Sequence, residues 1–339
     1  MRERGAKLDK KKRMQRKRRR RRRIVSTILL LFVVLVAGGI GGTIAYVRHK
    51  VSSTMKQGDV SFQDMDLDAQ TVYDKDIINI LLVGADSREE WNDSGRSDSS
   101  MIATLDLKNK QLKLTSLMRD MYIDIPGHPK NRFNAAYKFG GVSLLNETIA
   151  QNFGVRLDGY IVVDFQAFQD VIDKLGGVEI TLTEKEANYL NRAYHGKITV
   201  EEGTQVLTGK EALAYTRIRQ VPTIDGAHYD FGRTERQRRV LNSIFSELKG
   251  QSLSDITDIL MTILSNVTTD LSTKQIESLA FSVLKMEDKE IKQLCVPVEG
   301  AYTDIEVVLP STSSLAKVLE IDVEKNKEEI QQFIFEKVE

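Results

Sequence analysis

The feature that most constrains this chain is an abrupt change of composition near its N-terminus. Residues 10–23 contain 12 Lys or Arg among 14 residues, and residues 24–47 then contain no charged residue. At a helical rise of about 1.5 Å per residue, such a segment spans roughly 36 Å, which is enough to cross a hydrocarbon core of about 30 Å with some tilt. The pattern predicts a transmembrane helix over residues 24–47.

The flanking charges predict the orientation of this helix. The basic tail, residues 1–23, adjoins the apolar segment, whereas only Arg48, His49 and Lys50 follow it. Because Lys and Arg stay on the cytoplasmic side, the tail is predicted to be cytoplasmic and the rest of the chain extracellular. A cleaved signal peptide fits less well, since its apolar stretch has about 7 to 15 residues and an Ala-x-Ala-like cleavage site. We expect an uncleaved, single-pass anchor in the cell membrane.

The basic tail could also bind nucleic acid, since Lys and Arg neutralise the phosphates of any polymer. Its position beside an apolar span favours a topology signal and contact with anionic lipid headgroups. Beyond residue 50 the chain is acidic, with 32 basic against 46 acidic side chains. We therefore expect no nucleic-acid binding, and any anion that the extracellular part binds requires a local arginine cluster.

Cysteine and histidine usage excludes two ways of stabilising the exported part. Cys295 is the only cysteine, so no intramolecular disulfide can form, which suits an exported protein of a Gram-positive bacterium. No Cys/His spacing resembles a zinc site, and we expect no structural zinc.

The rest of the chain divides into a polar juxtamembrane spacer, residues 48–76, and one domain, residues 77–339. Residues 77–84 form an almost continuous apolar run that ends in glycine, as expected of a central strand buried on both faces. Other patterns predict strands at residues 101–107, 111–117, 160–163, 178–182, 291–298 and 303–308, and helices at 142–153, 165–175, 207–215, 234–249, 253–286, 312–319 and 324–335. Strands interleaved with helices predict an α/β fold with helices on both faces of a sheet.

Aspartates stand at the ends of two neighbouring predicted strands. Asp86 follows the central strand, and Asp98 opens the next apolar run. Two carboxylates at adjacent strand ends can share Mg²⁺, which binds one or two carboxylates together with phosphate oxygens and water. Taken alone, however, two loop aspartates are more often solvated surface side chains.

Arginines are concentrated in the same kind of position. Arg217 and Arg219 point to one face if that segment is extended, and Arg233 and Gln237 share a face on a helix. Gly232 precedes the predicted helix at 234–249, which would leave its first N–H groups free for an anion.

Three further arginines, Arg88, Arg96 and Arg119, adjoin the predicted strands, so up to six arginines could converge. Guanidinium groups bind phosphate in a bidentate manner, and a pyrophosphate is the expected ligand. Alternatively, each arginine forms a weak pair with one of the many surface acids.

A collinear series of motifs resembles the LytR-CpsA-Psr family. It includes NILLVGADSR at residues 79–88, GRSD at 95–98, RD at 119–120, FNAAY at 133–137, GG at 140–141, Tyr160, VDF at 163–165, LGGVE at 175–179, LTG at 207–209, ALAY at 212–215, RIR at 217–219, DFGR at 230–233 and RQ at 236–237. The resemblance covers residues 77–248 and leaves 249–339 as the C-terminal part of the domain. It implies an α/β/α sandwich around a mixed central sheet, with an apolar groove for a polyprenyl chain.

The resemblance also implies an activity. It is the transfer of a glycopolymer (wall teichoic acid, capsule or another wall polysaccharide) from an undecaprenyl-pyrophosphate carrier to peptidoglycan, as a phosphodiester to N-acetylmuramic acid. Hydrolysis of the lipid pyrophosphate is a simpler side reaction. Matched by position, Mg²⁺ (or Mn²⁺) would be held by Asp86 and Asp98, the pyrophosphate by Arg88, Arg96, Arg119, Arg217, Arg219, Arg233 and Gln237, and catalysis would rest on Arg96, Arg119, Asp86 and Asp98.

The proposed transfer needs a general base for the acceptor hydroxyl, and departures from the family pattern affect which residue could serve as that base. The chain has Gln220 where members often have His, which removes one possible base and leaves Asp86, Asp98 and Asp120 as candidates. Arg132 replaces a frequent Lys and changes a donor near phosphate or glycan. Two other functions are compatible with the motifs: a membrane-bound transcriptional regulator, and a non-catalytic scaffold that binds lipid-linked glycan. The motifs predict neither the glycopolymer nor the oligomeric state.

Overall fold

The computed structural model of this protein describes residues 56–67, 69, 71–85, 97–248, 267–284, 291–311 and 313–336. The predicted tail and membrane span lie outside these residues. Within the described part of the chain, no helix has both the length and the apolar character needed to cross a bilayer.

A seven-stranded mixed sheet forms the centre of the domain. Its strands, in spatial order, are β1 (Lys56–Gln57), β10 (Val267–Thr269), β7 (Gly159–Asp164), β2 (Ile77–Ala85), β3 (Ser97–Asp106), β4 (Gln111–Leu117) and β11 (Ile291–Val296). Strands β7, β2, β4 and β11 run in one direction, and β1, β10 and β3 run in the other. The apolar run that begins at Ile77 is therefore the central strand, as the sequence predicts.

Two smaller sheets flank this one. The first has the order β12 (Tyr302–Leu309), β13 (Ser314–Ile321), β5 (Met121–Ile125) and β6 (His128–Arg132). The second pairs β8 (Val178–Leu182) with β9 (Gly203–Leu207). The predicted strand at residues 178–182 exists, but it forms this separate pair and does not join the central sheet.

Seven helices are described: α1 (Asn134–Phe153), α2 (Phe165–Lys174), α3 (Glu184–Ala193), α4 (Gly209–Thr216), α5 (Tyr229–Leu248), α6 (Thr273–Leu284) and α7 (Val323–Phe335). Apolar residues of α2 to α6 form one core cluster and those of α1 and α7 another. Strand β2 lies between the two, because Ile80 packs in the first cluster while Leu81 and Val83 pack in the second. The helices thus cover both faces of a mixed sheet, which is the predicted α/β/α arrangement.

Local signals explain where several helices begin. The side chains of Thr183 and Thr208 each accept a hydrogen bond from the N–H three residues later, and a glutamate returns the bond to each cap, so α3 and α4 both start in capping boxes. Asp164 caps α2 in the same way, with its carboxylate 2.7 Å from the amide of Ala167.

Some predicted elements are wrong. Residues 312–319 are predicted to form a helix, yet β13 is hydrogen-bonded to β12 on one side and to β5 on the other. Pairing with the preceding strand β12 and with the distant strand β5 therefore outweighs the helix-like spacing of its apolar residues. The predicted helix at 253–286 contains β10 at Val267–Thr269, and its residues 253–266 lie outside the described part. Helix α1 starts before residue 142, with a kink at Gly140 and Gly141.

Part of the predicted spacer packs onto the domain. Strand β1 pairs in parallel with β10, and the ring of Phe62 is buried against Tyr160, with 4.9 Å between ring centroids. The amide of Phe62 also donates to the carboxylate of Asp270 at 2.9 Å. The segment between the predicted span and the domain is therefore shorter than the 29 residues of 48–76 suggest, whereas the domain boundaries themselves stay predictions.

Candidate functional site

The carboxyl ends of β2, β4 and β7 lie at one edge of the central sheet, because these strands run in the same direction. Asp86 follows β2 in the chain, Arg119 and Asp120 follow β4, and Phe165 follows β7. In an open α/β sheet this edge is where ligands bind.

Two aspartates and three of the predicted arginines meet at this edge. Arg119 Nε lies 3.4 Å from Asp120 Oδ2 and 3.5 Å from Asp230 Oδ1. Arg219 Nη2 lies 3.5 Å from Asp120 Oδ2 and also contacts Asp230 Oδ2. Arg233 Nη2 lies 2.9 Å from Asp230 Oδ1. The structure therefore brings together arginines from the β4–β5 connection, the loop after α4 and the first turns of α5.

A fourth arginine reaches one of these carboxylates from the four-stranded sheet. Arg132, at the end of β6, places Nε 3.3 Å from Asp120 Oδ1 and donates from Nη2 to the carbonyl of Lys317 at 2.7 Å. We call the six residues the arginine–aspartate cluster: Arg119, Asp120, Arg132, Arg219, Asp230 and Arg233. Four guanidinium groups against two carboxylates leave the cluster positive.

The cluster has a buried floor and an open side. Asp120, Asp230 and Arg233 are buried, whereas the side chains of Arg119, Arg132 and Arg219 are 20%, 31% and 38% exposed. The three partly exposed guanidinium groups are accessible to a ligand, whereas the aspartates are not. The alternative in which each arginine pairs singly with a surface acid does not hold for these four, because they contact two buried carboxylates. Their predicted role as phosphate ligands stays a prediction.

The two carboxylates differ in proton affinity. Burial, together with hydrogen bonding to Asp120, raises the pKa of Asp230 to about 6, against the attraction of Arg233. Burial acts in the same direction on Asp120, but its hydrogen bond with Asp230 and the charges of Arg119, Arg132 and Arg219 outweigh it and leave the pKa lowered. Burial lowers the pKa of Arg233 to about 10, which still leaves it cationic at neutral pH. Asp230 is thus the group of this pair that titrates closest to neutrality.

The structure places Arg217 differently from the prediction. It caps the end of α4 with φ −97° and ψ −7°, so Arg217 is not in the extended conformation under which Arg217 and Arg219 would point to one face. Its guanidinium carbon lies 4.1 Å from the ring centroid of Phe165, in a cation–π contact at the end of β7. Arg217 therefore belongs to the same edge of the sheet through Phe165, whereas Arg219 belongs to it through the two buried carboxylates.

The start of α5 also differs. The helix begins at Tyr229, so Gly232 lies inside its first turn and its N–H donates to the carbonyl of His228 at 2.9 Å. The predicted free N–H groups after Gly232 are therefore wrong. Arg233 and Gln237 do lie four residues apart on this helix, as predicted.

The remaining predicted residues are only partly described. The positions of Asp86, Arg88 and Arg96, and the side chain of Asp98, lie outside the described part. The backbone of β3 is described: Gly84 pairs with Ser99 and Ala85 with Ser97, which makes Asp98 the extra residue of a β-bulge. Bulges commonly redirect a side chain beside an active site.

The predicted Mg²⁺ ligands adjoin a described strand pair in sequence. Asp86 follows Ala85 and Asp98 follows Ser97 in the chain, and Ala85 pairs with Ser97. Among the residues that the structure describes, no group of three or more His, Cys, Asp or Glu side chains is placed to hold a metal. The assignment of Mg²⁺ to Asp86 and Asp98 stays a prediction.

Sequence reasoning missed part of this site. It predicts Asp120 only as a candidate base, assigns no role to Asp230, and treats Arg132 only as a changed donor. The spacing of Asp230 and Arg233, three apart on a helix, was the available signal for their ion pair. The pairing of Asp120 with Arg219 spans 99 residues and has no local signal.

Comparisons with known proteins agree with this fold. The model of the LytR_cpsA_psr family matches residues 43–324. The polyisoprenyl-teichoic acid–peptidoglycan teichoic acid transferase TagT of Bacillus subtilis is 33% identical over 270 residues, which cover 76% of this chain and 81% of TagT. The regulatory protein MsrR of Staphylococcus aureus is 32% identical over 262 residues, which cover 76% of this chain and 75% of MsrR.

A solved structure is similar over most of the domain. The structure described as TagT bound to LI-WTA has a TM-score of 0.61 and 27% sequence identity, and the match covers 83% of this chain and 99% of that one. The family match spans the arginine–aspartate cluster and the strands that position it. This chain therefore belongs to the LytR_cpsA_psr family.

Proposed function

We propose that this chain is a membrane-anchored phosphotransferase that attaches a glycopolymer to peptidoglycan. Its donor is an undecaprenyl-pyrophosphate-linked glycopolymer, and its product is a phosphodiester to N-acetylmuramic acid. The observation that carries the proposal is the arginine–aspartate cluster, in which four guanidinium groups surround two carboxylates at the ligand-binding edge of the sheet. The excess of two positive charges matches the two negative charges of a pyrophosphate diester.

Relatives support this choice of substrate. TagT carries the name of a teichoic acid transferase that acts on a polyisoprenyl-linked donor and peptidoglycan. A solved TagT structure is described as bound to LI-WTA. Wall teichoic acid is accordingly the first donor to test, whereas capsule and other wall polysaccharides present the same pyrophosphate linkage.

The arginines would act on the charge that develops during transfer. The muramyl hydroxyl attacks the phosphorus joined to the glycan, a new phosphorus–oxygen bond forms, and the bond to the bridging oxygen breaks to release undecaprenyl phosphate. Arg119, Arg219 and Arg233 are held in place by Asp120 and Asp230, so their guanidinium groups need little rearrangement to stabilise the leaving phosphate.

The hydroxyl proton requires an acceptor. Asp230 has a pKa raised to about 6 by burial and by Asp120, so at neutral pH it is ionised yet more basic than an ordinary aspartate. We therefore assign proton uptake to the Asp120–Asp230 pair, with Asp86 and Asp98 as metal ligands. When bound, Mg²⁺ supplies positive charge to phosphate oxygens.

The entry point of the chain supports a location close to the membrane. Strand β1 starts at the same edge of the sheet as the carboxyl end of β7, because Lys56 pairs with Thr268, which pairs with Val162. Residues 48–55, between the predicted span and β1, reach at most about 28 Å when fully extended. The lateral distance from β1 to β4 is roughly 24 Å at about 4.8 Å per strand. A lipid pyrophosphate in the outer leaflet is therefore within reach of the arginine–aspartate cluster.

Transfer is tested with the purified full-length chain in lipid nanodiscs, Mg²⁺, lipid-linked wall teichoic acid and peptidoglycan. The expected product is teichoic acid joined to muramic acid, formed only when the acceptor is present. Release of free glycan phosphate with or without acceptor would identify a hydrolase. Binding of the lipid without either product would identify a scaffold.

A regulatory function is the second candidate, because the relative MsrR is named a regulatory protein. A direct regulator of transcription needs its domain in the cytoplasm, whereas the proposed transferase needs it outside. Protease added to intact cells after removal of the wall is expected to digest the domain and spare the tail. Complete protection of the domain would contradict the proposed topology and favour the regulatory function.

A further inference from the structure

Helix α5 carries a further arginine, outside the arginine–aspartate cluster, whose three nitrogens all bond to groups inside the protein. Arg236 is fully buried in α5, one turn beyond Arg233. Its Nε donates to Glu186 Oε1 at 2.8 Å, its Nη1 to the carbonyl of Ile218 at 3.1 Å, and its Nη2 to the carbonyl of Val221 at 2.8 Å. One side chain thereby joins α5 to α3 and to the loop after α4.

The partner carboxylate is equally constrained. Glu186 is fully buried, and its second oxygen, Oε2, accepts from the amide of Thr183 at 2.9 Å and from its hydroxyl at 3.1 Å. These bonds form the capping box of α3, so the orientation of the Glu186 carboxylate is determined by the start of that helix. Arg236 is consequently held by a carboxylate that cannot rotate freely.

The two carbonyls that Arg236 binds bracket an arginine of the site. Residues 217–221 carry Arg217 and Arg219, and the carbonyls of Ile218 and Val221 lie on either side of Arg219 in sequence. Arg219 contacts Asp230, which lies in the first turn of α5, while Arg236 binds the same loop two turns further along that helix. Two attachments to one helix define the position of the loop relative to Arg233.

A role in stability alone does not explain this arrangement. A buried ion pair contributes little net stability compared with apolar side chains of similar volume. Here the guanidinium group also satisfies two loop carbonyls, and a planar donor with fixed geometry is suited to hold a loop in one position. Because Arg236 and Glu186 are fully buried, their bonds to this loop involve no group that a ligand has to contact.

We propose that the buried Glu186–Arg236 pair positions the loop 217–221, so that Arg219 and Arg217 meet a pyrophosphate at a set distance from Arg233. This inference rests on the proposed function, because it names the residues that organise the same site. Glu186 and Arg236 are positioning residues and do not contact the substrate.

The test uses the full-length chain in nanodiscs and two variants. Arg236→Lys keeps the charge beside Glu186 but cannot reach all three acceptors. The double variant Glu186→Leu/Arg236→Met removes both charges together and so avoids an unpaired buried charge. Arg238→Met is the matched control, since Arg238 lies on the same helix and pairs with Glu235 of that helix.

Three quantities are measured: the Kd for inorganic pyrophosphate with Mg²⁺, the hydrogen exchange of amides 217–221, and the melting temperature. Both variants should exchange these amides faster and bind pyrophosphate about 10-fold more weakly, the loss expected when one charge-assisted hydrogen bond is misplaced. The control should match wild type in both respects. A structural role alone would lower the melting temperature and leave the Kd of the folded protein unchanged.

Wild-type Kd and wild-type exchange in either folded variant would overturn the proposal. If the double variant does not fold, Arg236→Lys decides, and if wild type binds no inorganic pyrophosphate, the exchange of amides 217–221 decides. The proposed function fails separately, when wild-type protein does not transfer glycopolymer although its loop is positioned as described.

Discussion

Asp120 and Asp230 are joined by the same two guanidinium groups. Arg119 lies 3.4 Å from one carboxylate and 3.5 Å from the other, and Arg219 contacts both. The two carboxylates occupy some of the N–H donors of Arg119 and Arg219 and neutralise part of their charge, while each guanidinium group keeps further N–H donors for a phosphate. The aspartates therefore both orient the arginines and limit how tightly they bind anions.

Loss of Arg119 should abolish transfer without unfolding the domain. Arg119→Ala removes a cation that contacts both carboxylates, and we expect a rate at least about 100-fold lower, as for loss of one preorganised donor at a developing charge. Transfer from lipid-linked wall teichoic acid measures this effect. Arg192→Ala, on the exposed side of α3, is the control. Wild-type transfer by folded Arg119→Ala would contradict the site assignment.

The contribution of Arg217 to pyrophosphate binding should depend on its contact with Phe165. The ring of Phe165 lies 4.1 Å from the guanidinium carbon of Arg217 and keeps that exposed side chain at the edge of the sheet. We expect Phe165→Leu to weaken pyrophosphate binding about 3-fold, in line with a partly exposed cation–π contact of about 0.5–1 kcal/mol. Arg217→Ala removes the charge itself and should abolish glycopolymer attachment. Equal Kd values for Phe165→Leu and wild type, from calorimetry, would show that Phe165 does not orient Arg217.

Titration of Asp230 should make stability depend on pH. Its pKa in the folded protein is raised from 3.8 to about 6, so the folded state binds more protons than the unfolded chain between these values. The stabilisation is fully present below about pH 3.8 and is lost as pH rises through about 6. Asp120 contributes with the opposite sign, because its pKa is lowered in the folded protein. Its stabilisation is present above the pKa of the unfolded chain and is lost as pH falls through the pKa of the folded state.

Thermal melts of wild type and Asp230→Asn between about pH 4 and pH 7 measure this contribution. Because the asparagine side chain of the variant cannot titrate in this range, the melting temperature of wild type should fall relative to the variant as pH rises through this window. Parallel melting curves for the two proteins at every pH would show that Asp230 keeps an ordinary pKa.

Removal of Mg²⁺ by a chelator should stop transfer, and added Mg²⁺ should restore it. Asp86→Asn and Asp98→Asn each remove one anionic ligand, so both variants should need a higher Mg²⁺ concentration for half-maximal transfer. Asp124→Asn, at an exposed position of β5, is the control. An unchanged Mg²⁺ requirement in both variants would place the metal elsewhere.

Replacement of Gly232 by alanine should destabilise the domain. Alanine in a helix interior normally stabilises by about 1 kcal/mol relative to glycine. At Gly232, however, a Cβ atom would lie 2.6 Å from the carbonyl oxygen of Ala227 and 3.2 Å from Arg236 Nη1. We expect Gly232→Ala to destabilise the domain by about 1–3 kcal/mol, the usual effect of overpacking. A melting temperature at or above that of wild type would disprove the close contact.

Much of the fold could be predicted from local patterns. The apolar run at Ile77–Ala85 is the central strand, and the run at Gln111–Leu117 is β4 with the predicted bounds. The first is recognisable because a strand buried on both faces is mostly apolar, and the second because Leu112 and Leu114 alternate with polar residues. The helix predicted at residues 312–319 is wrong because this segment forms a hairpin with the preceding strand β12 and also pairs with β5, which lies in a distant part of the chain.

The sequence by itself determined the basic tail, the apolar segment beside it, and which residue types are available to bind a phosphate. It also predicted Arg119, Arg219 and Arg233 as partners of one anion, since motifs at element ends can be read locally. Only the tertiary structure decided that these arginines share Asp120 and Asp230, and that Arg236 holds the loop behind them. Those contacts join residues far apart in the chain, and their energies depend on burial and distance, which exist only after folding.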